Sequence, residues 1–182
     1  MGASRAASPA ASPAAAARER GEQMSYPALT GGEKRAHMQA LITRYFGACN
    51  AADAAGIAAC FMPDGTHYFP PGMYGGAWHG ARLIGERWAA SVAAVGSAWT
   101  VDRIVCEPES DQAVIEWTHY KTRDGTVLRG DEWYIFDLET GLIAEIRAYY
   151  ASPQDRSLAR LELQDFDYAG RGYHLDCPVP RQ

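Results

Sequence analysis

The sequence lacks several features that would mark whole classes of protein. No apolar run approaches the roughly 20 residues that a membrane-spanning helix needs. The N-terminal segment has no apolar core of the kind found in signal peptides. Basic residues are in the minority, with 17 Lys and Arg against 22 Asp and Glu and a net charge of −5. Nucleic-acid binding depends on clustered Lys and Arg, so we expect no nucleic-acid partner. Since the apolar segments named above are also lacking, we expect a cytoplasmic protein without a membrane partner.

Cysteine is also scarce, and its spacing is uninformative. The four cysteines, Cys49, Cys60, Cys106 and Cys177, form no CxxC pair. A chain of 182 residues can bury a real core without disulfide bonds. We therefore expect reduced, mostly buried thiols, no bound metal and no cofactor. Two histidines and a carboxylate (His67, His119 and Glu132) could hold a divalent ion, but they have no local ligand spacing.

Composition divides the chain into three parts. Residues 1–30 are rich in Ala, Ser, Pro and Gly, which predicts a disordered tail. Residues 31–152 carry the periodic apolar patterns of a folded domain. Residues 153–182 form a C-terminal extension that we expect to pack on the domain or on a partner subunit, because it retains apolar side chains: Leu158, Leu161, Leu163, Phe166 and Tyr168.

Three helices and one strand are predicted in the first half of the domain. Residues 33–50 show helical spacing of apolar side chains, and Tyr45 lies on the apolar face. Asp53 can cap a second, short helix that ends near Phe61. A strand over 66–69 is closed by two prolines, and a third helix over 81–95 turns Trp88 to one side.

The second half of the domain reads as strands joined by turns. The segments AWTVDRIVCE, QAVIEWTHYKT, TVLRGDEWYIFDLE and LIAEIRAYY are separated by PESD, RDG and TG. The Asp-Gly pair at 124–125 predicts a two-residue hairpin, with Arg123 opposite Thr126 and His119 opposite Gly130. Helices on one face of such a bent antiparallel sheet predict an α+β fold, a cone-shaped barrel around a cavity.

Alternation along the hairpin separates two faces of the sheet. His119 and Glu132 are expected to be diagonal neighbours on the mainly apolar, inward face. That face carries Ile115, Trp117, His119, Leu128, Glu132, Tyr134 and Phe136. The outward face carries apolar side chains that predict a homodimer built on it: Tyr120, Trp133, Ile135 and Tyr149.

The order of elements resembles the SnoaL-like and ketosteroid-isomerase-like branch of the nuclear transport factor two superfamily. The likeness covers about residues 33–152. It is carried by that order and by four local motifs: RYFGACNAADAAGIAACF, DGTHYFP, WHGARLIGERW and TGLIAEIRAYY. The resemblance is specific for fold and a poor guide to reaction, because the superfamily hosts isomerases, cyclases, dehydratases, epoxide hydrolases and non-enzymes.

The resemblance also implies roles for single positions. Tyr45 matches the tyrosine with which steroid isomerases stabilise an oxyanion, and Glu132 matches their neutral carboxylic acid. Their aspartate base corresponds to Phe69, so the usual base is absent. The SnoaL polyketide cyclases have an acid/base aspartate where Ala148 stands, a histidine where Tyr134 stands and a glutamine where Glu132 stands.

Limonene epoxide hydrolases are matched no better. Their arginine position corresponds to Trp117, their second aspartate to Ala148 and their asparagine to Phe69. Their two remaining positions correspond to His67 and His119. No single known chemistry is therefore implied intact.

Together these positions predict an acid–base site. We expect a cofactor-independent isomerase, dehydratase or related lyase that acts on a small apolar or aromatic, ring-containing molecule. His119 is the predicted proton-transfer residue, with Glu132 setting its state and Tyr45 and His67 assisting. Substrate-binding residues are expected to be Phe69, Trp88, Trp117, Tyr134, Phe136 and Ala148. The alternatives are a non-catalytic ligand-binding or dimerisation module and, less favoured, an epoxide hydrolase.

Overall fold

The helices begin and end at residues whose side chains or backbone suit a terminus. The computed structural model describes residues 25–70, 73–150, 160–161, 169–170 and 172–180. Its α-helices are α1 (Gly31–Asn50), α2 (Ala54–Ala58) and α3 (Ala81–Val95). Thr30 and Glu33 form a reciprocal capping box at α1, and Asp53 accepts a hydrogen bond from the Gly56 amide at α2. Gly96, with φ 66°, ends α3 in the left-handed conformation. The three predicted helices are thus confirmed.

In the part of the chain that the structure describes, seven strands form one sheet. They are β1 (Phe61–Tyr68), β2 (Trp78–His79), β3 (Ser97–Glu107), β4 (Gln112–Lys121), β5 (Thr126–Phe136), β6 (Ile143–Tyr149) and β7 (Arg160–Leu161). The order is β2-β1-β6-β5-β4-β3, and β7 pairs with β5. β1 pairs parallel with β6, and β7 pairs parallel with β5, so the sheet is mixed rather than wholly antiparallel. In the described ranges the edge strands β2 and β3 do not meet. The α+β cone is therefore confirmed, but it is open and not a closed barrel.

The β4–β5 hairpin has a longer loop than its Asp-Gly pair predicts. Lys121 pairs with Thr126, so the loop comprises the four residues 122–125. A two-residue type I′ turn needs positive φ at both central residues, but of Asp124 and Gly125 only the glycine has it, at 74°. The predicted register is therefore wrong by two residues.

The shift changes which side chains are neighbours but not which face they occupy. His119 lies opposite Leu128, and Glu132 lies opposite Ile115. Because side chains alternate with a period of two, a two-residue shift leaves every side chain on its predicted face. The inward face is confirmed, but His119 and Glu132 are not the diagonal neighbours that the sequence predicts.

Residues 25–30, assigned to the tail from composition, pack against the domain. Tyr26 is only 5% exposed, and its hydroxyl donates to the Asp111 carboxylate at 2.7 Å. Lys34 pairs with the same carboxylate at 2.8 Å. The start of the packed domain is thus Ser25 or earlier, and the predicted disorder of residues 1–24 lies outside the described residues.

The end of the chain covers part of the outer face of the sheet. The Tyr173 hydroxyl donates to the Glu116 carboxylate. The guanidinium carbons of Arg103 and Arg129 lie 4.7 and 5.7 Å from the centre of the Tyr173 ring. Tyr173 therefore packs on its own domain, although most of the residues from 172 to 180 are exposed. Of the apolar side chains predicted in the extension, Leu158, Leu163, Phe166 and Tyr168 lie outside the described residues.

This covering alters the outer surface that the sequence predicts. Tyr120 is buried rather than exposed, because its hydroxyl donates to the His174 carbonyl and the segment lies over it. Trp133 and Tyr149 remain 41% and 59% exposed, and Ile135 is half-buried. The homodimer stays a prediction, and the surface left for it is smaller than expected.

The expected state of the cysteines and the expected lack of a membrane-spanning helix can be compared with the described residues. Cys49, Cys60 and Cys106 are buried free thiols, and Cys177 is a partly exposed free thiol. None of the helices that the structure describes is long and apolar enough to cross a membrane.

Gly85 and Gly47 provide a matched test of the helix packing. A Cβ at Gly85 would lie 2.2 Å from the Ala54 carbonyl oxygen, where α3 crosses α2, whereas one at Gly47 would meet nothing within 4 Å. Gly85→Ala should lower the free energy of unfolding by about 1–3 kcal/mol. Gly47→Ala should raise it by up to about 1 kcal/mol, because alanine favours helices. Urea unfolding measures both. Destabilisation of similar size by both substitutions would contradict the proposed close approach.

Candidate functional site

A chain of aromatic rings fills the interior of the cone. The ring centres of Trp78 and Trp88 lie 4.9 Å apart, and those of Trp88 and Trp99 lie 5.3 Å apart. Trp99 stacks on His119, its partner across β3 and β4, at 4.5 Å. Trp88 reaches this chain because α3 turns Ile84, Trp88 and Val92 inward at helical spacing.

These rings leave a very small internal cavity. Its volume is about 10 Å³, the room that one water molecule needs. It is lined by Phe69, Tyr74, Trp88, Trp99, Trp117, His119, Glu132, Ala148 and Tyr150. The predicted pocket therefore exists in the predicted place, but aromatic side chains nearly fill it in this conformation.

Glu132 places a carboxyl group at the edge of the cavity. The residue is 6% exposed and projects inward from β5. The Tyr134 hydroxyl donates to Glu132 Oε2 at 2.5 Å, a length typical of a hydroxyl on a carboxylate. His67 Nε2 lies 3.5 Å from Oε1, close enough for electrostatic attraction and too far for a normal hydrogen bond.

His67 is fully buried on the neighbouring part of the sheet. It projects inward from β1, and its ring stacks on Phe69 at 4.2 Å. Neither ring nitrogen has a hydrogen-bond partner among the described residues. A buried polar group without a partner costs free energy, so this histidine needs a reason beyond packing. Its position beside the Glu132 carboxylate, 3.5 Å away, could supply that reason.

Two tyrosines complete the surroundings of the carboxylate. Tyr45 reaches the interior from α1, with its ring 6.5 Å from that of Tyr134. Burial raises the pKa of Tyr45 well above its usual value, and Cys49 and Glu132 raise it further. Burial and Glu132 likewise raise the pKa of Tyr134. Both hydroxyls therefore keep their protons at physiological pH and act as hydrogen-bond donors.

His119 lies elsewhere on the cavity wall. Its Nε2 is 2.8 Å from Ser97 Oγ, and Ser97 in turn bonds Ser91. Burial lowers the pKa of His119 to about 3, and the charge of Lys121 contributes. The predicted His119–Glu132 pair is wrong, because the hairpin register places these residues four positions apart along the sheet.

The other predicted site residues divide into three groups. Phe69, Trp88, Trp117 and Ala148 line the cavity together with His119 and Glu132. Tyr45, His67 and Tyr134 lie beside Glu132, as the contacts above show. Phe136 lies beyond Tyr134, with its ring centre 6.3 Å away, and packs in the core without reaching the cavity. Its predicted place in the cavity lining is therefore wrong.

Three cavity residues were missed from the sequence: Tyr74, Trp99 and Tyr150. Tyr150 continues the inward alternation of Ile146 and Ala148, so that strand pattern could have found it. Trp99 could have been found from its pairing with His119. Tyr74 follows no periodic pattern, since it lies in a glycine-rich loop.

Two surface pockets adjoin the cavity. One, of about 290 Å³, lies between Tyr74, Trp78 and the C-terminal half of α3, and Tyr74 lines both this pocket and the cavity. The other, of about 540 Å³, lies at the ends of β1 and β6. Phe69, Ala148 and Tyr150 line both the larger pocket and the cavity.

Comparisons with known proteins agree with this architecture. A crystal structure of a protein of unknown function with a cystatin-like fold, from Methylobium petroleophilum PM1, is 53% identical. The match covers 81% of this chain and 97% of that chain, with a TM-score of 0.64. A search of curated proteins finds no match.

Two more distant structures are similar in fold alone. One is a putative polyketide cyclase from Sinorhizobium meliloti, 17% identical over 60% of this chain and 93% of that one, with a TM-score of 0.51. The other is an epoxide hydrolase/cyclase-like enzyme of pyran ring formation in the polyether salinomycin. It is 15% identical over 67% of this chain and 95% of that one, with a TM-score of 0.54.

The family model gives the assignment. The SnoaL-like domain model matches residues 42–146, which run from within α1 into β6. The range includes every cavity-lining residue except Ala148 and Tyr150, which lie beyond its end. This match and the fold agree with the resemblance found in the sequence. The chain belongs to the SnoaL-like domain family.

Proposed function

We propose that this protein is a cofactor-independent enzyme that moves protons on a small, apolar, ring-containing molecule, with Glu132 as the base and His67 as its partner. One observation supports this most strongly. A buried carboxylate has one oxygen fixed by Tyr134 and the other 3.5 Å from a buried histidine that has no hydrogen-bond partner in the described part of the chain. Groups of this kind at the edge of an apolar cavity are suited to acid–base catalysis.

The arrangement gives the two carboxylate oxygens different tasks. The Tyr134 bond holds Oε2 and fixes the orientation of the carboxyl group. Oε1 then removes a proton from a carbon next to a substrate carbonyl, and the C–H electron pair moves to form an enolate. In an isomerisation the proton returns to a different carbon. In a dehydration the enolate expels a β-hydroxyl group, which leaves as water after taking up the proton from Glu132 or His67.

The composition of the walls favours flat, apolar substrates. Trp88, Trp99 and Trp117 offer ring faces, and Phe69 and Ala148 occupy positions where related enzymes carry polar side chains. A ring-sized molecule needs more than 10 Å³, and movement of Tyr74 would join the cavity to the 290 Å³ pocket beside it. The combined space is near the lower end of the range for small-molecule sites.

His119 is less suited to proton transfer than its sequence position indicated. A pKa of about 3 keeps its ring neutral at physiological pH and makes it a weak base. Its bond to Ser97 and its stacking on Trp99 fix the cavity wall. We therefore assign His119 to the wall and the proton transfer to Glu132 with His67.

A deuterium-exchange experiment tests the base. We expect the protein to accelerate exchange at the carbon next to the carbonyl of 1-tetralone in D₂O, followed by NMR. Glu132→Gln should reduce the rate by about two to four orders of magnitude, the usual share of a general base. Tyr134→Phe should reduce it less, since the carboxylate remains but loses its fixed orientation.

The control is Trp133→Phe, a change on the exposed outer face that should leave the exchange rate unaltered. A wild-type rate in Glu132→Gln would remove this carboxylate from the mechanism. If 1-tetralone binds without any accelerated exchange, the non-catalytic ligand-binding module becomes the better assignment.

A second experiment concerns the pH dependence of stability. His119 has a pKa of about 3 in the folded protein against an ordinary 6.5, so between these values the unfolded chain binds a proton that the folded protein does not. Its contribution is fully present above pH 6.5 and is lost as the pH falls toward 3. Between pH 7 and pH 5 the loss should be about 2 kcal/mol.

His119→Gln is the matched variant, because glutamine can still bond Ser97 but does not titrate in this range. Urea unfolding at the two pH values should show a smaller loss of stability in His119→Gln than in the wild type. Equal losses in both proteins would show that His119 is not held neutral by burial.

A further inference from the structure

Two hydrogen-bond donors on the cavity wall, the indole N–H groups of Trp88 and Trp117, have no acceptor among the described residues, and that of Trp117 is held by the backbone opposite it. Trp117 is 4% exposed and lines the cavity, yet its indole Nε1–H has no hydrogen-bond partner among the described residues. A buried tryptophan N–H normally finds an acceptor, because losing its bond to water without replacement costs free energy. The function proposed above, in which Glu132 is the base, leaves this donor without a role.

The backbone opposite Trp117 holds that donor in place. Gly130 is its partner across β4 and β5. A Cβ at Gly130 would lie 2.7 Å from Trp117 Cζ2 and 2.7 Å from Tyr150 Cβ. The glycine therefore lets both side chains pack on one spot of β5, where their ring centres are 5.3 Å apart. Donors fixed in this way need no reorganisation when a ligand binds.

A hydroxyl-bearing side chain borders the same small space. Tyr150 lines the cavity, and its ring packs against that of Trp117. Its hydroxyl carries one proton that it can donate to an acceptor. A cavity of about 10 Å³ has room for one oxygen atom.

We propose that the Trp117 indole N–H and the Tyr150 hydroxyl form a binding site for one acceptor oxygen of the ligand. The ligand class is then a ring compound that carries a carbonyl oxygen. This inference rests on the proposed function, in which Glu132 removes a proton next to that carbonyl and leaves negative charge on its oxygen. Donors aimed at the oxygen would stabilise this charge.

A matched pair of probes tests the oxygen site. 1-Tetralone and tetralin share a ring system, and only the ketone carries an acceptor oxygen. By calorimetric titration the wild type should bind 1-tetralone roughly tenfold more tightly than tetralin, the factor expected from one net hydrogen bond. Trp117→Phe and Tyr150→Phe should each bring this ratio toward one, while tetralin affinity changes by less than about twofold. Trp133→Phe is the control and should keep the ratio.

A spectroscopic readout separates a hydrogen bond from a change in packing. The infrared carbonyl stretch of bound 1-tetralone should lie at lower frequency in the wild type and in Trp133→Phe than in Trp117→Phe. An unchanged affinity ratio and carbonyl frequency in both cavity variants would overturn the inference, as would failure of the wild type to prefer the ketone. If the preference holds but deuterium exchange is absent, the oxygen site stands and the catalytic proposal fails. If deuterium exchange is accelerated but the ketone is not preferred, the catalytic proposal stands and the oxygen site fails.

Discussion

The Glu132 carboxyl group is buried in an interior otherwise built from aromatic rings, and the surrounding arrangement follows from that burial. A carboxylate taken out of water loses several kcal/mol of hydration unless nearby groups replace it. Tyr134 supplies a short hydrogen bond to one oxygen, and a ring nitrogen of His67 lies near the other. Tyr134 bonds only Oε2, and His67 stays 3.5 Å from Oε1, so neither partner alone replaces the hydrogen bonds that the carboxyl group made with water. Oε1 is therefore the oxygen to which the proposed mechanism assigns the role of base.

The aromatic filling strengthens that effect. Few water molecules can enter a space of about 10 Å³, so charges on its walls are poorly screened. The same filling excludes a ring-sized ligand until a side chain moves. The side chain proposed to move is Tyr74, which lines both the cavity and the 290 Å³ pocket and is followed by Gly75 and Gly76, with positive φ and open space. A water-excluding closed state and a movable wall are compatible with one site.

The sequence predicts which side chains face the interior better than it predicts which of them touch. Alternation and helical spacing placed Tyr45, His67, His119 and Glu132 inside, because periodicity depends only on local geometry. Contacts depend on the register of the paired strands. The register of β4 and β5 is set by a four-residue loop, which an Asp-Gly pair does not predict. That loop is tied to the end of α3, where Thr122 and Arg123 donate to the Gly96 and Val95 carbonyls. Such a tertiary tether cannot be read from the hairpin itself.

The replacement of the expected base has a simple structural route. In this family's isomerase branch the base precedes a proline on the first strand, where this chain has Phe69. His67 lies two residues earlier, within β1, so its side chain projects to the same side about 6.6 Å back along the chain. Phe69 stacks on it and shields it from solvent. The imidazole at this inner position lies beside Glu132 on β5, with Nε2 3.5 Å from Oε1, and this is the pair to which the proposed function assigns the role of the missing aspartate.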